Sequence, residues 1–137
     1  MTGLSTMTYR LDVWEEDNYL YAHVVGERNR DTVATMSRGI VAACVRYGRD
    51  RVLVDMREFH GQMDIFDAFS IPIALFPSIR EVDFVDQVAV LDAKERAHRA
   101  EFLSSLARKS GYNFRTFDEL DSAIRWISSP DGAAFAD

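Results

Sequence analysis

The chain has 137 residues, a formal net charge of −6, 47% hydrophobic residues and 28% charged ones. That is one domain's worth of ordinary globular composition, which excludes intrinsic disorder, collagen-like repeats and a disulfide scaffold, since Cys44 is the only cysteine. A pI near 5.0 excludes general nucleic-acid binding, because the basic residues are interleaved with a larger number of acids.

Neither a signal-like segment nor an apolar run of about 20 residues is seen, so no transmembrane segment is expected and the cytoplasm is the expected location. The expected organisation is a flexible N-terminus over residues 1–8, a single domain over 9–128 and a loosely ordered tail over 129–137, where Pro and Gly punctuate small polar residues.

In chain order, Tyr9, Leu11 and Val13 alternate with Arg10, Asp12 and Trp14, which predicts a half-buried strand. Glu15 to Asn18 reads as a turn into a second strand, Tyr19 to Gly26, with Leu20, Ala22 and Val24 on one face. From Asp31 to Tyr47 the apolar period becomes helical through Val33, Met36, Ile40, Cys44 and Tyr47, with Asp31 as N-cap and Gly48 just past the end. Arg51 to Asp55 predicts a short central parallel strand, followed by a polar loop from Met56 to Met63.

Asp64 to Ile79 is over-hydrophobic. Its Ile and Phe residues surround much of the helical circumference, and Pro72 predicts a bent or broken helix with Ser70 as a candidate cap. Phe84 to Leu91 predicts another buried strand. Lys94 to Ser110 predicts a helix on the stripe Arg99, Phe102, Leu103, Leu106 and Ala107, and Asn113 to Phe117 the last strand. Asp118 is the expected cap of a final helix with Leu120, Ala123, Ile124 and Ile127 facing inward. The order ββαβαβαβα implies an α/β fold with a five-stranded mixed sheet, mainly parallel with an antiparallel edge.

The strand Arg51-Val52-Leu53-Val54-Asp55, the run Gln87-Val88-Ala89-Val90-Leu91 and the close Phe114-Arg115-Thr116-Phe117 followed by Ala123-Ile124-Arg125-Trp126-Ile127 stand in this order. From about Tyr9 to Ser128 the chain resembles the SpoIIAA-like family, which is similar to STAS domains and, in fold, to CRAL-TRIO lipid-binding domains. The resemblance to anti-sigma-factor antagonists implies a switch in which a serine after the third strand is phosphorylated by a partner kinase. Here the stretch Asp55 to Asp64 contains no serine or threonine, and Asp64 stands near the place of the phosphoacceptor. The resemblance to CRAL-TRIO domains implies a small hydrophobic, lipid-like ligand.

The segment Asp55-Met56-Arg57-Glu58-Phe59-His60-Gly61 gathers Asp, Arg, Glu and His at the carboxyl end of a parallel strand, where ligands of open α/β sheets bind. Asp55 or Glu58 could orient His60, and Arg57 could meet an anion; the plainer reading is a solvated loop with an Arg/Glu ion pair. Glu95, His98 and Glu101 share neighbouring helical positions, but a di-iron site needs a second such motif, so a solvent-facing charged surface and no metal are expected. Cys44 reads as a buried thiol and His23 as a packed histidine, with neither a nucleophile elbow nor a phosphate-binding glycine motif. No cofactor or catalytic residue is expected.

The leading expectation is therefore a non-enzymatic interaction module that self-associates as a homodimer through residues 65–79. Asp55, Arg57, Glu58, His60, Asp64, Phe66, Phe69 and Phe76 are its contact residues. A fully sandwiched helix and a pocket for a small apolar ligand are the other readings of that segment.

Overall fold

Seven alternating residues from Tyr9 to Glu15 form β1, which pairs antiparallel with β2, Leu20–Glu27, in unbroken register from Tyr9 opposite Gly26 to Glu15 opposite Leu20. The computed structural model describes residues 9–61, 85–97 and 113–129. The hairpin closes with the Glu16 amide donating to the Tyr19 carbonyl. Then come α1, Arg30–Tyr47; β3, Arg51–His60; β4, Gln87–Leu91; β5, Phe114–Phe117; and α2, Leu120–Ser128. The sheet order is β1-β2-β3-β4-β5, with every pair after the first parallel. The mixed sheet with an antiparallel edge agrees with the sequence reading.

Helices α1 and α2 cover opposite faces of the sheet. Val33, Met36, Ile40 and Cys44 of α1 pack on Leu20, Ala22, Val24, Val52, Val54 and Phe59. Ala123, Trp126 and Ile127 of α2 pack on Leu53, Ala89 and Leu91. Alternation along β3 explains the division: Val52 and Val54 face α1, while Leu53 faces α2. Burial pushes the Cys44 thiol up to about 12, as suits a small core hydrophobe.

Local details depart from the sequence expectations in instructive ways. Asn29, and not Asp31, caps α1. Its side chain accepts from the Thr32 amide while the Thr32 hydroxyl accepts from the Asn29 amide, so two orphan donors are satisfied at once, an arrangement typically worth about 1 kcal/mol. Gly48 does end the helix, with φ of 67° that a side chain would strain. Tyr47 is exposed, because it lies past the last turn that the sheet covers. Glu119, and not Asp118, is the N-cap of α2 and makes no side-chain capping bond. Trp126 joins Ala123 and Ile127 in the buried stripe of α2.

The largest departure is at β3. Residues 56–60 belong to the strand and not to a loop, and continue to pair with β2 after β4 has ended at Leu91. Between His23/Asp55 and Val25/Glu58 the register shifts, so two residues of β3, Met56 and Arg57, oppose the single residue Val24. The extra residue reverses which side chains face which side. Phe59, which unbroken alternation would put on the Leu53 side, instead sits fully buried in the α1 core. Burying that ring is worth roughly 1.5–3 kcal/mol and anchors the extension. The strand stops at Gly61, where a Cβ would collide with the Arg28 carbonyl.

The expected helix 64–79 with Pro72, the phosphoacceptor position at Asp64, most of the expected helix 94–110 and both chain ends fall outside the described residues. Among the described residues, no helix is long and apolar enough to cross a membrane.

Candidate functional site

Two buried carboxylates stand where β4 finishes beside the middle of β3. Asp55 pairs in register with Leu91, and Asp92 follows immediately, so the two acids stand at nearly one level on opposite faces of the sheet. Each is held by a different set of donors.

On the α2 side, Asp55 accepts from the Tyr21 hydroxyl at 2.6 Å and from the Arg57 amide, Nε and Nη2 at 3.2, 3.0 and 2.8 Å. The bulge makes this possible, because it lets the backbone at Arg57 turn back toward a carboxylate two residues earlier. Burial pushes the Asp55 carboxyl up, but the hydrogen bonds from Arg57 and Tyr21 together outweigh it, so its pKa lies below the usual 3.8. Burial, followed by the hydrogen bond to Asp55 and its charge, holds the Tyr21 hydroxyl well above the ordinary phenol range. The Tyr21 ring stacks on Trp14 at 4.7 Å. Asp55 is thus an ionised acceptor whose lone pairs are committed, a poor arrangement for a general base.

On the α1 side, Asp92 is 1% exposed and receives two arginines. Arg28 Nη1 and Nη2 reach its two oxygens at 3.1 Å, and Arg96 Nε donates at 3.0 Å. Arg28 also donates from Nε to the Phe59 carbonyl and from Nη2 to the Met56 carbonyl, while its guanidinium lies 5.3 Å from the Phe59 ring centroid. Arg96 Nη2 donates to the Arg57 carbonyl. The two arginines therefore fasten the β3 extension to the end of β4.

The residues that the sequence singled out are divided by this geometry. Asp55 and Arg57 are joined, as described. Glu58 and His60 are exposed on either side of buried Phe59. Glu58 lies 3.9 Å from His23 Nε2, across the strand pair, so the imidazole beside this acid is His23. His60 stands at the end of the strand, opposite Glu27. Asp64, Phe66, Phe69 and Phe76 lie outside the described residues. Tyr21, Arg28, Asp92 and Arg96 belong to the site and were not singled out by sequence reasoning. The available signal was the pair of apolar runs RVLVD and QVAVLD, each closing on an aspartate.

Glu95 is exposed, and His98 and Glu101 lie outside the described residues. Among the described residues, no group of three or more His, Cys, Asp or Glu is arranged to hold a metal ion.

No protein-family model matches the chain, and comparison with curated proteins gives no match. Solved structures do match. The chain superposes on an anti-sigma factor antagonist from Mycobacterium paratuberculosis with a TM-score of 0.60 over 88% of this chain and 95% of that one, at 14% identity. The fold is SpoIIAA-like. An uncharacterized protein with a SpoIIAA-like fold from Shewanella loihica matches with a TM-score of 0.54 over 87% of this chain and 93% of that one, at 17% identity. At such identities the likeness concerns the fold, and the side chains described above are this chain's own.

Proposed function

We propose that the chain is a single-domain, non-enzymatic protein-interaction module of the STAS type in the cytoplasm, which forms a homodimer through the apolar segment 65–79 and acts without a phosphoacceptor serine after β3. The observation that carries the reading is the β3 extension. A buried ring, a strand partner and two arginines hold residues 56–60 in place, and the extension presents Arg57, Glu58 and His60 outward, shortly before Phe66, Phe69 and Phe76 in the sequence. A pre-ordered charged strand loses little entropy on binding, which suits a recognition surface. Phe66, Phe69 and Phe76 would supply the apolar part of the contact, with Arg57, Glu58, His60 and Asp64 at its polar rim.

Light scattering at micromolar concentration tests this. A dimer is expected at this concentration, with Phe69→Glu giving a monomer whose circular dichroism remains that of the parent and which still unfolds cooperatively. A wild-type chain that stays monomeric, or a folded Phe69→Glu chain that stays dimeric at this concentration, would refute self-association through this segment.

A further inference from the structure

The sheet has unequal edges. β5 is a four-residue strand, whereas β1 is seven residues long, pairs with β2 without a bulge and contains neither proline nor lysine. Long, unbulged edges invite another strand, and proteins usually blunt them with bulges, prolines or charged side chains; the charges of β1, Arg10, Asp12 and Glu15, are of both signs and can pair with those of a second copy. β1 is also held firmly: Arg49 donates from Nη2 to Glu15 at 2.9 Å and from Nη1 to the Asp17 carbonyl at 3.0 Å, tying the hairpin end to the turn after α1. Among the described residues, no backbone group pairs with the outer side of β1.

The hairpin closure sets which backbone groups point outward. The Glu16 amide bonds to the Tyr19 carbonyl, and antiparallel ladders alternate. Arg10, Asp12 and Trp14 therefore direct their amides and carbonyls to β2, while Tyr9, Leu11, Val13 and Glu15 direct theirs away from it. A second copy related by a two-fold axis can pair in an antiparallel sense centred on one of these outward residues. Centred on Val13, Leu11 would face the partner's Glu15 and Asp12 the partner's Trp14. Centred on Leu11, Arg10 faces the partner's Asp12 and Tyr9 the partner's Val13, each twice by symmetry.

We propose that β1 is a self-recognition edge that joins two copies of this chain through antiparallel β1 strands centred on Leu11, giving a continuous sheet across the pair. Charge complementarity selects the register. Arg10 and Asp12 are 67% and 46% exposed and bond to each other within the strand at 2.9 Å. In the pair they form a four-charge cluster of alternating sign, at positions where non-hydrogen-bonded neighbours bring side chains closest. On the other face Tyr9, Leu11 and Val13, which pack at the margin of the α1 core, extend that apolar row into the partner's. The contact is independent of residues 65–79 and weaker than theirs, with a dissociation constant on the order of 100 μM.

Cysteine pairing reads the register directly, because buried Cys44 does not compete. Arg10→Cys protein mixed with Asp12→Cys protein should form a covalent heterodimer under mild oxidation, since opposed residues lie within disulfide reach. Neither variant should cross-link alone, because like positions are offset by two residues. Sedimentation supplies the second measurement. Read at about 100 μM and above in the Phe69→Glu chain, where pairing rests on β1 alone, Arg10→Glu should weaken association about tenfold and Arg10→Glu/Asp12→Arg should restore it. Equal cross-linking of either single variant, no cross-linking of the mixture, or a charge swap that fails to restore association overturns the proposal. Dissociation of the Phe69→Glu chain at micromolar concentration, with the mixed cross-link intact at the higher one, separates the two surfaces and leaves this one standing.

Discussion

Where β3 and β4 begin, neutral carbonyls are the groups that need partners; where β4 finishes beside the middle of β3, carboxylates are. At the first end, Arg51 Nη1 donates to the Ile127 and Ser129 carbonyls, Gln87 Nε2 to the Trp126 carbonyl and Asn18 Nδ2 to the Ser128 carbonyl. Those are orphan acceptors at the C-terminus of α2, and side chains from distant strands do the capping that the helix sequence lacks. At the second end, Asp55 and Asp92 are bound by arginines that also hold the β3 extension. The first end fixes a helix with hydrogen bonds that are individually modest, whereas the second fixes a strand with buried charges, whose loss is costly. A charged, rigid end is the one suited to recognition, since its groups are ordered before a partner arrives.

The sharpest way to break this contrast is Asp92→Ala, which leaves Arg28 and Arg96 facing each other without an anion. A loss of about 3–5 kcal/mol is expected in chemical denaturation, because removing one partner from a buried ion pair strands the other charge. A loss below about 1 kcal/mol would mean that the cluster is a solvated surface pairing of little energetic weight.

Arg57→Ala is expected to cost about 1 kcal/mol at neutral pH, a value reduced for screening because its side chain is 43% exposed. Its pH dependence has a definite sign. The folded-state pKa of Asp55 is depressed below 3.8, so the stability it contributes is complete above about pH 4 and is lost as pH falls through the depressed value. The gap between the wild-type chain and Arg57→Ala should therefore be constant from pH 5 to 7, well above the ordinary carboxylate value of 3.8, and close in stronger acid. A gap that widens on acidification would show that Asp55 is not what Arg57 stabilises.

Gln87→Leu should have the smallest effect, within about 1 kcal/mol by thermal denaturation. It forfeits the bond to Trp126 but also removes Gln87 Oε1, a buried acceptor that has no hydrogen-bond partner among the described residues. If Gln87→Leu proved as costly as Asp92→Ala, the two ends of the sheet would not differ in kind.

Much of the fold was legible because it rests on period. The two-residue alternation of β1 and β2, the three- and four-residue steps of α1 and the apolar run of β4 reach the structure nearly unchanged. The caps were harder to read. Asn29 and Thr32 cap α1 reciprocally, although Asp31 is an equally good capping residue, because only the chain's exit from β2 decides where the first turn begins. Of the site, Asp55 and Arg57 were read from their place at a strand end. Arg28, Asp92 and Arg96 were not, since a charged residue in a sequence looks the same whether water or a buried counter-ion surrounds it.

The sequence by itself determined the order of the described strands, α1 and α2, the mixed sheet with its antiparallel edge and the placing of apolar side chains on alternate faces, because hydrophobic periodicity is a local property of the chain. Only the tertiary structure decided that residues 56–60 are strand and that Phe59 faces α1. One bulged residue reverses every side chain beyond it, and whether it forms depends on a partner strand, a buried ring and an arginine 31 residues away acting together.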